Sequence, residues 1–199
     1  MQNQYLRVSA LIVAMGLSGV MAGCATSASK PADSSATVVA GEAKAAVEQN
    51  LFMVHHENGR LYILGDAKLY RVFLETDEVA LTRTRIGAGP NGQTLIFGMN
   101  KDDAKRGGPT DAENVYDGKQ APEGPFYGEV IKDGRYYVFT LWSDMANYLK
   151  HGEVALTYTE IGSGPKGETV IYALNKKTAS EGSPVAAIER FRKQHAGSK

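Results

Sequence analysis

The stretch Thr82-Arg83-Thr84-Arg85-Ile86-Gly87-Ala88-Gly89-Pro90-Asn91-Gly92-Gln93-Thr94 returns 75 positions later, from Thr157 to Thr169, with the same glycines, proline, isoleucine and threonines. The two copies align without a gap from Asn58 to Asp102 and from Asp133 to Lys177. An internal repeat constrains architecture more tightly than composition does, because each copy carries the same local folding instructions. Both copies keep Gly59/Gly134, Arg60/Arg135, Tyr62/Tyr137, Glu78 to Thr82 against Glu153 to Thr157, Ile96/Ile171 and Asn100-Lys101/Asn175-Lys176.

The shared turn spells G-x-G-x-x-G twice, at Gly87 to Gly92 and Gly162 to Gly167. That pattern cradles a pyrophosphate only where a helix leads out of it. Here Thr94-Leu95-Ile96-Phe97 and Thr169-Val170-Ile171-Tyr172 follow. They are β-branched and aromatic and read as strands. Pro90 and Pro165 also remove an N–H that a phosphate would use. The turn therefore reads as a hairpin loop rather than a nucleotide site.

Around it, Leu51 to His56 and Arg60 to Leu64 flank Glu57-Asn58-Gly59, and Phe126 to Ile131 and Arg135 to Phe139 flank Lys132-Asp133-Gly134. Both are hairpin signals. A helix follows each, with Leu69, Tyr70, Phe73 and Leu74 as the apolar stripe of the first and Met145, Tyr148 and Leu149 of the second. Asp66 and Ser143 are the expected N-caps. Gly152 is the expected left-handed end of the second helix, and Asp77, at the same place in the first, fits that conformation less well. The resulting expectation is an α+β fold. It has two tandem ββαββ repeats with antiparallel sheets, pseudo-symmetric, plus a short C-terminal helix opened by Ser183-Pro184. Along β-strand alternation, Ala80, Thr82, Thr84 and Ile86 form one face and Arg83 and Arg85 the other. The first face is shared by both copies, so it is expected to be buried and the arginines exposed. A unit of this size buries too little surface to be stable alone, so the repeats are expected to fold together.

The organisation expected is a signal peptide at 1–23, a tether at 24–50, repeat one at 51–105, a loop at 106–124, repeat two at 125–180 and a C-terminal helix and tail at 181–199. Arg7 is the only charge before Gly23, and the apolar run from Val8 to Ala22 is short for a membrane span. Its end, Met21-Ala22-Gly23-Cys24, resembles the lipobox of bacterial lipoproteins, with Met21 where Leu is usual. The resemblance implies cleavage before Cys24, lipid attachment to its sulfur and N-terminus, and, with Ala25 next, an outer-membrane, periplasm-facing address. Cys24 is the sole cysteine, so it has no disulfide partner. Ala25 to Asn50 is rich in Ala, Ser and Thr and reads as a flexible connector.

The 22 basic and 22 acidic residues cancel, and removing the signal takes away only Arg7. A near-neutral chain lacks the basic face that nucleic acid requires. No G-x-S-x-G is present. No catalytic residues are assigned, no cofactor is expected, and the metal question stays open. His55 shares a strand face with Met53, a candidate soft-metal pair, while His56 points the other way. His151 suits a helix C-terminus, and His195 lies in the polar tail. The hairpin and helix from Asn58 to Leu74 resemble YHS-type metal-associated modules, without the cysteines those modules often use. Arg60 and Arg135 each follow a turn glycine and precede an apolar or aromatic residue, a candidate pair for clamping an anion. Trp142 stands in one copy only, opposite Ala67, and is a candidate contact. The sequence thus points to a lipid-anchored envelope protein acting as a non-enzymatic binding or scaffold module, held at the membrane by its anchor, with an envelope protein as its candidate partner. The alternatives are a periplasmic metal- or small-anion-binding lipoprotein, and a hydrolase whose site is assembled from scattered residues.

Overall fold

The computed structural model describes residues 47–197. The signal peptide, Cys24 and nearly all of the tether lie outside the described residues. The tether ends earlier than expected, because Gln49 and Asn50 already belong to the first strand.

The first half contains β1 (Gln49–His56), β2 (Arg60–Leu64), α1 (Ala67–Thr76), β3 (Thr82–Arg85), β4 (Thr94–Gly98), α2 (Lys101–Arg106) and α3 (Asp111–Tyr116). The second contains β5 (Phe126–Lys132), β6 (Arg135–Phe139), α4 (Trp142–His151), β7 (Leu156–Glu160), β8 (Thr169–Leu174), α5 (Lys176–Ala179) and α6 (Val185–Gln194). The Asp66 carboxylate accepts from the Lys68 and Leu69 N–H groups at 2.7 and 3.1 Å and starts α1 as expected. Helix α4 has no such cap: it begins at Trp142, and Ser143 bonds only its neighbour Asp144. Both helices end on a left-handed residue, Asp77 at φ 58° and Gly152 at φ 75°. Asn100 and Asn175, kept in both copies, cap α2 and α5.

All eight strands join one mixed sheet, in the order β3-β4-β2-β1-β5-β6-β8-β7. The antiparallel expectation holds for the hairpins β1/β2, β3/β4, β5/β6 and β7/β8. It fails for β2/β4, β6/β8 and the central pair β1/β5, which are parallel. The reason is connectivity. Helix α1 crosses over one face between β2 and the β3/β4 hairpin, which returns β4 beside β2 in the same direction, and α4 does the same for β8.

The parallel central pair turns the two halves over relative to one another. Phe52, Val54, Tyr62 and Leu64 share a core with Tyr127, Tyr136, Val138 and Tyr172 on the face covered by α1 and α6. Leu51, Met53, Leu61 and Ile63 share the opposite core with Phe126, Val130 and Phe139, beneath α3 and α4. Each face thus takes one helix from each half.

Two further expectations are corrected. The segment 106–124 is not simply a loop: it carries α3, opened by a reciprocal capping box between Thr110 and Glu113. The faces of β3 are also inverted. Thr82 and Thr84 are exposed, and Ile86 and Ile161 are each 88% exposed in the turns beyond their strands. Arg83 and Arg85 point inward, because β3 is an edge strand whose inner face meets a buried glutamate on α3.

Candidate functional site

The residues singled out from sequence do not converge. Arg60 lies on the face of Tyr62 and Leu64, and Arg135 on the face of Tyr137 and Phe139. The turned-over second half therefore places the two arginines on opposite sides of the sheet, and both are exposed. His55 is half-buried near the C-terminal end of β1, and burial, followed by the charge of Lys132, lowers its pKa from 6.5. Its neighbour on that face, Met53, is 2% exposed and packed in the core. Trp142 stacks edge-on against Phe126 at 5.5 Å, at the opposite end of the central pair from His55. His56 reaches across to the Asp77 carboxylate at 3.0 Å. Among the described residues no group of three His, Cys, Asp or Glu side chains stands ready for a metal. Cys24 lies outside the described residues.

Two fully buried carboxylates went unread in the sequence. Glu113 on α3 takes Arg83 through one oxygen and Arg85 through the other, the latter at 2.6 Å. Arg85 also bonds Asp117 at 2.7 Å and lies over the Phe97 ring at 4.5 Å. Burial alone would raise the Asp117 carboxyl, but hydrogen bonds from Arg85 and Lys119 outweigh it and hold its pKa below the ordinary value. Glu129 on β5 accepts from the Tyr70 hydroxyl at 2.8 Å, from the Tyr127 hydroxyl, and pairs with His195 Nε2 at 3.0 Å. Burial, then the charge of Glu129, pushes both phenols well above their ordinary range, so they remain donors. His195 is no polar tail residue: it is 8% exposed and closes α6 onto the sheet. Both clusters clamp helices, the first with its carboxylate fully paired; in the second, His195 Nδ1 is shielded from solvent and has no hydrogen-bond partner.

The open polar site lies elsewhere. A cleft of about 360 Å³ sits where β2 and β4, parallel neighbours, reach their C-terminal ends. That volume is within the roughly 300–1,000 Å³ of small-molecule sites, which favour this end of parallel strands. Glycine lets the chain pack closely beside the cleft. A Cβ on Gly65 would stand 3.0 Å from the Ala112 Cβ, and one on Gly98 would stand 2.9 Å from Leu64 Cδ2. The positions one repeat period later hold Thr140 and Ala173. Glu48, Asp66, Asp103 and Asp111 line the cleft, and no Lys, Arg or His does. Asp66, Asn100, Asp103 and Thr110 are spent on capping α1, α2 and α3. Asn50 adds a carbonyl oxygen that is shielded from solvent and has no hydrogen-bond partner. Glu48 is also paired with Arg190, and Asp103 with Arg106 at 2.6 Å, so Asn50, Asp111 and the remaining lone pairs of the capping side chains are what the cleft offers to a small ligand that donates hydrogen bonds. No family model, curated protein or solved structure matches this chain at a significant level.

Proposed function

We propose that this chain is a lipid-anchored envelope protein, attached through Cys24 at the outer membrane and facing the periplasm, that acts as a non-enzymatic binding or scaffold module. Two copies of a ββαββ unit form its single sheet, and the cleft between α1, α2 and α3 is its ligand site. The observation that carries this reading is the cleft itself. Four of its polar side chains, Asp66, Asn100, Asp103 and Thr110, are held by helix caps, an arrangement that favours a rigid recognition surface over side chains free to shuttle protons. The anchor rests on the lipobox resemblance, and among the described residues no helix is long and apolar enough to cross a membrane.

Two measurements test the proposal. Cys24→Ala should abolish labelling by radioactive palmitate, and continued labelling would remove the anchor. A panel of small amines and amides, titrated into the full chain, should shift the amide resonances of Asn50, Gly65, Gly98 and Asp111 saturably. Gly65→Thr, which copies the second half, should block those shifts while the chain still melts cooperatively. A panel that leaves all four resonances still would remove the cleft as the binding site.

A further inference from the structure

Beside α1, sharing Asp66 and Asn100 with the cleft, runs an apolar groove of about 500 Å³. Its floor is Leu69, Val72, Ala80, Leu81 and Met99, and Lys68 and Lys101 stand at its rim. Val72 is 50% exposed and Leu81 39%. Large apolar side chains gathered in one depression mark an interaction site more often than isolated ones do.

The molecule supplies its own comparison. The gap-free repeat places Ser143 opposite Lys68, Asp144 opposite Leu69 and Asn147 opposite Val72. The second half therefore has the same helix in the same place with polar residues where the first half is apolar. The fold does not require Val72 to be apolar, because its counterpart Asn147 is exposed on an equally well-formed helix.

The rim sets the charge. Neither Lys68 nor Lys101 forms an ion pair among the described residues. The one carboxylate lining the groove, Asp66, is turned to the α1 N–H groups. An unpaired ammonium beside an apolar floor matches a ligand with an anionic head and a hydrocarbon body.

We propose that this groove binds a single-chain anionic amphiphile, a long-chain carboxylate whose tail lies on Leu69, Val72, Leu81 and Met99 and whose head meets Lys68 and Lys101. A free carboxylate fits better than a membrane surface, because the groove offers only the two cations Lys68 and Lys101, whereas attachment to an anionic bilayer draws on a larger basic cluster. The proposal does not depend on the cleft binding anything.

Equilibrium dialysis of the full chain carrying Cys24→Ala, which has no acyl chains of its own to compete, tests it with decanoate and dodecanoate. Binding should be saturable, and should tighten with chain length by up to about four-fold per methylene that is fully buried. Val72→Asn, copying the second half, should weaken dodecanoate roughly ten-fold. Lys68→Ser should weaken dodecanoate roughly two- to five-fold and leave dodecanol unchanged. Both substituted positions are exposed, and unaltered thermal melting of the variants confirms that they fold. The proposal fails if Val72→Asn binds dodecanoate like the parent, or if dodecylammonium binds as tightly as dodecanoate. It fails equally if vesicles of phosphatidylglycerol or an acidic amphipathic peptide bind at the groove where monomeric dodecanoate does not.

Discussion

Helices α3 and α6 follow the last strand of their respective halves, and each is pinned to the sheet by one buried carboxylate, with the chemistry reversed. In the first half the glutamate is on the helix and its partners are arginines on an edge strand, whose side chains remain 33% and 30% exposed. In the second half the glutamate is on a central strand, and its partners are two phenols and the histidine that ends the helix, all buried. The first clamp has a wet rim, and a released guanidinium there regains water. The second is sealed, so every group that loses its partner stays unsatisfied. Two helices in equivalent positions are thus held by interactions of different fragility.

The largest effect should come from breaking the sealed clamp. Glu129→Ala is expected to destabilise the fold by about 3–5 kcal/mol, since it strands two hydroxyls and an imidazole away from water. Glu129→Gln, which keeps an acceptor, should lose less. Glu113→Ala should lose about 1–3 kcal/mol, because the buried Thr110 N–H loses its acceptor while Arg83 rehydrates and Arg85 keeps Asp117. Denaturant midpoints at constant slope give both values, and equal losses would erase the proposed contrast.

The ends of α1 and α4 sharpen the comparison at smaller scale. Gly152→Asp should destabilise α4 by about 0.5–1 kcal/mol, because it places a side chain on left-handed backbone. Asp77→Gly should change stability little: that strain is relieved, but the His56 contact, worth about 0–1 kcal/mol for so exposed a pair, is lost. A clear gain from Asp77→Gly would show that the His56 contact contributes nothing.

His55 tests the hairpin end through pH. Its folded-state pKa lies below 6.5, so the unfolded chain binds the proton more readily. Its contribution is therefore neutral well above 6.5 and becomes destabilising as pH falls through that value and below. The acid-side fall in denaturant midpoint between pH 7.5 and 5.5 should be shallower in His55→Gln, and an unchanged slope would contradict the sign. The smallest effects should be at the two turn isoleucines. Ile86→Ala and Ile161→Ala should each stay within about 0.5 kcal/mol of the parent in thermal melts.

Local features were legible in the sequence and long-range ones were not. Hairpin glycines, the Asp66 cap, the left-handed Asp77 and the Gly-Pro turns are each decided within a few residues. The parity of the sheet is not. The first hairpin turns through Glu57-Asn58-Gly59 and the second through Asp133-Gly134, one residue fewer. That single residue shifts β5 relative to β1, so that Glu129 corresponds to Met53 in place. A charged residue inside an apolar strand was the available signal, and two of its three partners, Tyr70 and His195, are far away in sequence. Thr110-x-x-Glu113 was a readable capping box, masked by the Gly107-Gly108-Pro109 that precedes it. Arg83 and Arg85 looked like a solvated face because the glutamate that receives them lies on that masked helix. Arg60 and Arg135 looked like a pair because sequence symmetry does not reveal which side of a sheet each copy presents.

The parallel seam between β1 and β5 has a consequence for how the chain is made. Strand β1 leaves the ribosome first yet ends in the middle of the sheet, and its neighbour β5 arrives only after the whole first half has been synthesised. In the interval Leu51-Phe52-Met53-Val54 presents an unpaired, apolar strand edge. Non-local pairing of this kind closes slowly. The same edge accepts β5 from a second nascent chain with identical hydrogen bonds. Half-exchanged dimers, each molecule completing the other's sheet, are the expected misassembly product wherever these chains are crowded during folding.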